Sequence, residues 1–173
     1  VDGIIDEVDK VQLKPDIVLG MVLRLRQATA CPSILTSSNI PSAKIDRACD
    51  LCDQLISEGN KVVIFSTFKE TVEELRQRLA HYNPVIGTGD VPDNIISDNV
   101  DMFQNDNEHQ IFIGTWQKCG TGITLNRANY MIFIDTPWTD AAFEQACDRI
   151  YRIGTKKPVT IYNLITRSIP LNT

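Results

Sequence analysis

Gln145, Arg149 and Arg152 fall at i, i+4 and i+7 in the stretch Gln145-Ala146-Cys147-Asp148-Arg149-Ile150-Tyr151-Arg152. On a helix that spacing is one face, so an amide and two guanidiniums would point the same way. Two arginines three residues apart repel unless an anion or a carboxylate answers them. Their planar forks of donors suit a phosphate chain. Glu144 and Asp148 stand close enough to answer them as ordinary surface salt bridges, so spacing alone leaves both readings open. Short hydroxyls form a second set. Thr67, Thr88 and Thr115 each follow or end a strand-like run. Such side chains and their N–H groups can grip phosphates without reading bases, although each is also a common turn or cap residue. Gly120 and Gly122 let the backbone approach a ligand closely, or simply make a tight turn.

These residues need elements to position them. Asp16 to Ala30 reads as a helix, with Ile17, Met21, Leu23 and Leu25 apolar and Cys31-Pro32 ending it. Ser37 to Ser42 reads as a polar linker. A second helix runs from Ser42 to Glu58, its apolar residues recurring at three- and four-residue steps, with Gly59-Asn60 closing it. The period then changes. Lys61 to Ser66 is a continuous apolar run, the mark of a buried strand. Glu70 to His81 is helical, Val85-Ile86 a short strand, Asp93 to Gln104 a helix and Gln110 to Gly114 a strand. Tyr130 to Asp135 and Val159 to Ile165 are strands, with a helix from Ala141 to Arg152 between them. Strands alternating with helices through short connections imply βαβ units and a parallel sheet. The expected fold class is therefore α/β, a three-layer domain with a mainly parallel central sheet flanked by helices. Ligands in such sheets bind beyond the carboxyl ends of the strands.

The 173 residues suit one domain. Hydrophobic residues at 43% and charged residues at 23% are the balance of a globular protein. A net charge of −5 argues against a strong stand-alone nucleic-acid binder, which is usually basic. That average conceals an acidic stretch between 90 and 110, with Asp90, Asp93, Asp98, Asp101, Asp106 and Glu108 and no Lys or Arg. It reads as a solvated face. Residues 144 to 173 lean the other way, carrying Arg149, Arg152, Lys156, Lys157 and Arg167 against Glu144 and Asp148. No apolar run approaches the ~20 residues of a membrane span, so no membrane partner is expected. Five scattered cysteines fit a reducing intracellular compartment. The chain opens without methionine and stops abruptly, and so reads as a piece of a longer protein.

Several features read as incidental. Ile4-Ile5-Asp6-Glu7 imitates a Walker-B strand, but a helix and a linker follow it. Cys49-x-x-Cys52 has zinc-like spacing without a second pair to match, so no metal site is expected. His81 and His109 read as surface residues, and Trp116 as a packing residue rather than a stacking platform. There is no GxxxxGK[ST] run to cradle a phosphate and no GxGxxG.

Taken together, the motifs resemble a known family. QACDRIYRIG followed by TKKPVTIYNLI is similar to the sixth helicase motif of the Swi/Snf family of helicase-like ATPases, QAxDRxxRxGQ followed by KxVxVYxL. Leu25-Arg26-Gln27 with Cys31-Pro32 resembles the family's LRQ…HP helix end. Ser42-Ala43-Lys44 and then KVVIFSTF resemble its SxK and fourth motif, and Gly87-Thr88 its DGST-type turn. GTWQKCGTGITL resembles the fifth motif, STxAGGxGxNL, and Asp135-Thr136-Pro137-Trp138 the DxxWNP segment. Departures are Lys118-Cys119 for Ala-Gly, Thr124 for Asn, Thr155 for Gln and Thr139-Asp140 for Asn-Pro.

The resemblance implies the second RecA-like lobe of a two-lobe DNA-dependent ATPase, with residues 1–41 a helical segment and linker from the preceding lobe and 42–173 the lobe itself. ATP would sit between the lobes, its Mg2+ held mainly by the first. Arg152 would be the arginine finger, Arg149 a second phosphate contact, Gln145 an amide orienting them or the attacking water, and Gly120 and Gly122 the close-approach positions. Thr67, Thr88 and Thr115 would touch the backbone of double-stranded DNA. The implied partners are the first lobe, the duplex and a protein–DNA complex to be remodelled. The implied location is intracellular: cytoplasmic in a bacterium or virus, nuclear in a eukaryote. Without a P-loop the chain alone should not hydrolyse ATP. The fifth-motif departures permit an alternative, a catalytically silent RecA-like interaction module.

Overall fold

The computed structural model describes residues 15–36, 40–120, 122–151 and 158–167. Arg152, Lys156, Lys157, the Ile4-to-Glu7 run and the start of the TKKPVTIYNLI run lie outside them.

Among the described residues, five strands form one all-parallel sheet in the order β2-β3-β1-β4-β5. They are β1 (Val62–Ser66), β2 (Val85–Gly87), β3 (Ile111–Thr115), β4 (Tyr130–Phe133) and β5 (Thr160–Asn163). The α/β expectation is met. The helices are α1 (Pro15–Ala30), α2 (Ala43–Ser57), α3 (Lys69–Arg78), α4 (Asp93–Asn105), α5 (Trp116–Cys119) and α6 (Asp140–Cys147). Ser42 caps α2, its hydroxyl accepting from the Ile45 N–H at 3.3 Å while donating to the Ala30 carbonyl at 2.7 Å. One serine thus starts the second helix and ties it to the end of the first.

β1 and β3 are buried at every position. Alternate residues serve two different cores, as a period of two requires. Val62, Ile64, Ile111, Ile113 and Ile132 meet α2 and α3 on one face. Val63, Phe65, Phe112, Met131 and Phe133 meet Phe103 of α4, Cys119 of α5 and Ala146 of α6 on the other. The apolar residues of α1 do not join either core: Ile17, Met21 and Leu25 are 51%, 56% and 64% exposed, and only Ala30 is buried. His109 departs from its surface reading, because its side chain is 16% exposed and its Nδ1 lies 2.8 Å from Asp106. Cys52 is buried in the core and Cys49 half-buried, and no metal-holding cluster of His, Cys, Asp or Glu occurs among the described residues.

The carboxyl ends of β2 and β3 are packed without clearance. The buried Cys119 thiol donates to the Gly87 carbonyl at 3.1 Å, and burial pushes its pKa up to about 12. A Cβ on Gly87 would meet Cys119 Sγ at 2.6 Å and Phe112 at 2.8 Å, while one on Gly114 would meet the Gly87 carbonyl oxygen at 2.7 Å. Overpacking of this kind costs about 1–3 kcal/mol, the loss expected in urea melts of Gly87→Ala. Cys119→Ala should recover part of it, since the thiol is one of the two obstacles. Gly114→Ala should be rescued less, because Cys119 Sγ at 2.8 Å is only its second obstacle and the nearest, the Gly87 carbonyl oxygen, is backbone. Equal rescue at both positions would refute this geometry.

Candidate functional site

The sheet switches direction at β1. The chain passes from β1 outward to β2, returns to β3, then crosses to β4 on the far side. Crevices at such a switch point are the usual ligand sites of open parallel sheets. Here the carboxyl ends of β3, β1 and β4 present Thr115, Ser66-Thr67 and Asp135 side by side.

Asp135 organises this crevice. Its carboxylate is 5% exposed and accepts from Ser66 Oγ at 2.6 Å, Thr67 N–H at 3.1 Å, Thr67 Oγ1, and Arg26 Nη2 at 3.2 Å. Arg26 comes from the last turn but one of α1, 109 residues away in sequence. Its Nη2 also donates to the Thr136 carbonyl and to Thr67 Oγ1, and its guanidinium lies 4.2 Å from the Trp138 ring centre. Trp116 Nε1 donates to Thr67 Oγ1 at 3.1 Å. The hydroxyl and the N–H of Thr67 are therefore both engaged within the fold. Trp116 is half-buried against the Phe65 and Phe112 core.

Thr88 and Thr115 are 7% and 8% exposed, at the ends of β2 and β3. Thr67 and Thr115 line a groove of about 560 Å³ together with Lys69, Gly89, Gln117 and Lys118. Lys69 is paired with Asp90 at 3.1 Å and Lys118 with Asp93. These pairs hang on exposed carboxylates and are worth little, so a phosphate could displace them. Sequence reasoning did not pick out either lysine for a role. The available signal was their position directly after a strand-end threonine motif.

Gly120, Gly122, Gln145 and Arg149 lie on the opposite side of the sheet from α2 and α3. Two stitches tie the Arg149 turn to the loop just after Gly122. The Leu125 N–H donates to the Arg149 carbonyl at 2.7 Å, and Arg149 Nη1 donates to the Ile123 carbonyl at 3.2 Å. Gly122 has φ +80°, a left-handed conformation that side-chain-bearing residues rarely adopt, with nothing within 4 Å of where a Cβ would stand. Gly120 is buried, and a Cβ there would strike the Trp116 carbonyl at 2.5 Å.

The helix expected from Ala141 to Arg152 is shorter than its sequence suggests. It ends at Cys147, with Asp148 as its C-cap. Arg149 N–H bonds to Ala146 and Ile150 N–H to Cys147, a tighter turn. The Arg149 carbonyl, which a continuing helix would use internally, is taken by Leu125. Arg149 therefore lies beyond the helix that carries Gln145, while Arg152 is outside the described residues. Gln145 is exposed on the helix, and Arg149 folds back so that its Nε donates to the Gln145 carbonyl at 3.1 Å. The Glu144 and Asp148 bridges left open by spacing alone are not seen for Arg149 among the described residues.

A model of the helicase conserved C-terminal domain matches residues 43–154. The chain belongs to that family. This helicase C-terminal domain is 33% identical over 135 residues to Protein CHROMATIN REMODELING 24 of Arabidopsis thaliana, covering 76% of the chain and 12% of that protein. It is 31% identical over 128 residues to the DNA excision repair protein ERCC-6-like of Homo sapiens, covering 72% of the chain and 10% of that protein. The chain thus spans about a tenth of the length of the curated relatives it matches. Among solved structures it resembles the Sulfolobus solfataricus SWI2/SNF2 ATPase core in complex with dsDNA, with TM-score 0.74 and 27% identity over 95% of this chain and 36% of that one. The helicase C-terminal domain described here is a C-terminal helicase-like lobe of the Swi/Snf kind, with the RecA-like α/β fold. No helix among its described residues is long and apolar enough to cross a membrane.

Proposed function

We propose that this lobe is the second half of a DNA-dependent ATPase and translocase, closing on ATP bound against a first lobe. The observation that carries the reading is the double stitch between the Gly120–Leu125 loop and the Arg149 turn. Through it, the two segments assigned to the nucleotide form one unit. Any shift of the loop that follows the strand-end Thr115 is passed to Arg149, which is the coupling a motor needs. Arg152 supplies the finger that stabilises charge on the transferring phosphoryl group, Arg149 holds its neighbour, and Gln145 orients them. Phosphoryl transfer is catalysed mainly by such positioning and charge. Magnesium accompanying ATP would be held by the first lobe and would offset charge on the phosphates.

The DNA track runs along the carboxyl rim, over Thr88, Thr115 and the Lys69–Lys118 groove. Thr67 contributes by fixing Trp116 and Asp135 rather than by a free hydroxyl. The substrate is the duplex backbone, within a protein–DNA complex to be remodelled, in the nucleus or cytoplasm. A silent interaction module is the second reading. Lys118 and Cys119 favour it, since both replace small residues of the fifth motif, one paired with Asp93 and one sealed in the core.

Purified alone, the chain is expected to hydrolyse no ATP above background, with or without duplex DNA, whereas the intact protein shows DNA-stimulated turnover. Motor-like turnover by the isolated chain would contradict this division of labour. So would an intact protein that hydrolyses ATP indifferently to DNA.

A further inference from the structure

A pocket of about 340 Å³ opens where β4 and β5 end, lined by Arg26 and Thr29 of α1, Lys44 of α2, Asp135, Asn163 and Thr166 among others. Its walls carry two cations and one carboxylate. That carboxylate is already consumed by Ser66, Thr67 and Arg26. Lys44 is half-buried, and its Nζ donates to the Ile134 carbonyl at 2.8 Å. Among the described residues no carboxylate lies within salt-bridge distance of Lys44. Burial holds its ammonium below the ordinary lysine value, with Asp135 opposing and Arg26 adding to the depression. An ammonium with donors to spare, desolvated and next to a second cation, is a group that an anion would stabilise.

We infer that this pocket receives a backbone phosphate of duplex DNA, with Lys44 as its charged donor and Asn163 and Thr166 as neutral ones. The inference rests on the reading of the rim as a DNA track and extends that track across the whole sheet. In strand order the rim presents Thr88, Thr115, Thr67, Thr136 and then this pocket. Five strands ~4.8 Å apart make a rim ~19 Å long. A duplex carries one charge about every 1.7 Å of axis, so such a rim can follow several phosphates. The other source of phosphate, a nucleotide, is disfavoured by position. Arg149 and the Gly120–Leu125 loop belong with the core on one face of the sheet, whereas α2 belongs with the core on the other.

The test uses the intact protein, a labelled short duplex and a fluorescent ATP analogue, each titrated over a range of salt. Lys44→Gln should weaken duplex binding roughly fivefold near physiological salt and flatten the log–log salt slope by about one, as loss of one phosphate contact requires. Lys44→Arg should retain most of both, and nucleotide affinity should not move. Asn163→Asp, at an exposed position, puts a negative charge at the pocket mouth and should also weaken the duplex if Lys44→Gln proves unstable. Unchanged duplex affinity and slope in Lys44→Gln and Asn163→Asp would overturn the inference. So would a loss confined to the nucleotide. If Thr88→Ala and Thr115→Ala still weakened the duplex, the pocket alone would be wrong. If they too had no effect, the DNA-track reading would fall with it.

Discussion

Asp135→Ala should lower the unfolding free energy by about 3 kcal/mol in urea denaturation, near the low end of the ~3–5 kcal/mol seen when one partner of a buried ion pair is removed. The carboxylate is 5% exposed and Arg26 is 17% exposed. Removing the acceptor strands a cation that keeps only the Thr67 hydroxyl, the Thr136 carbonyl and the Trp138 face. Arg26 Nη1 already lacks a partner among the described residues, so little can compensate. Ser66 Oγ and the Thr67 N–H lose their acceptor at the same time. The low end applies because Arg26 retains some access to water. The double variant Arg26→Met, Asp135→Ala removes the stranded charge and should be no less stable than Asp135→Ala alone. Additive losses in that cycle would mean that the two residues act independently, contrary to the geometry.

This cluster also marks where the sequence stops being legible. The strands could be read because a parallel sheet buries both faces, so Val62–Ser66 and Ile111–Thr115 appear as unbroken apolar runs. The same burial hides which side chain serves which core, since no alternation survives in the residue types. Helix starts were readable at Ser42 and ends at Gly59. The end at Cys147 was not, because the Arg149 carbonyl is captured by Leu125, 24 residues earlier, and nothing local signals it. The short α5 was missed because Trp116 follows Thr115 with no linker to break the run. The Arg26–Asp135 pair joins residues too far apart for spacing to reveal. Without it, Thr67 reads as a free strand-end hydroxyl, although its donors are already engaged. For α1 the apolar residues were legible but their destination was not, since Ile17, Leu19 and Leu25 stay exposed.

On the proposed function, the largest effect belongs to Arg152. Phosphoryl transfer gains ~10³–10⁵ in rate from a finger arginine, and alanine keeps neither charge nor donors. Arg152→Ala should therefore lower kcat by that order while leaving duplex affinity intact. Arg149→Ala should lose turnover as well, and for a second reason. Its Nη1 bond to Ile123 ties the loop to the turn, and its Nε bond to Gln145 ties the turn to α6. Lysine at 149 preserves charge but not the forked donors, so it should restore little. In the silent-module reading neither change would touch ATP turnover. The deciding measurement is the DNA-stimulated ATPase rate of the intact protein carrying Arg152→Ala. A fall of ~10³–10⁵ in kcat with duplex binding retained is the result expected of a motor lobe; an unchanged rate would contradict it.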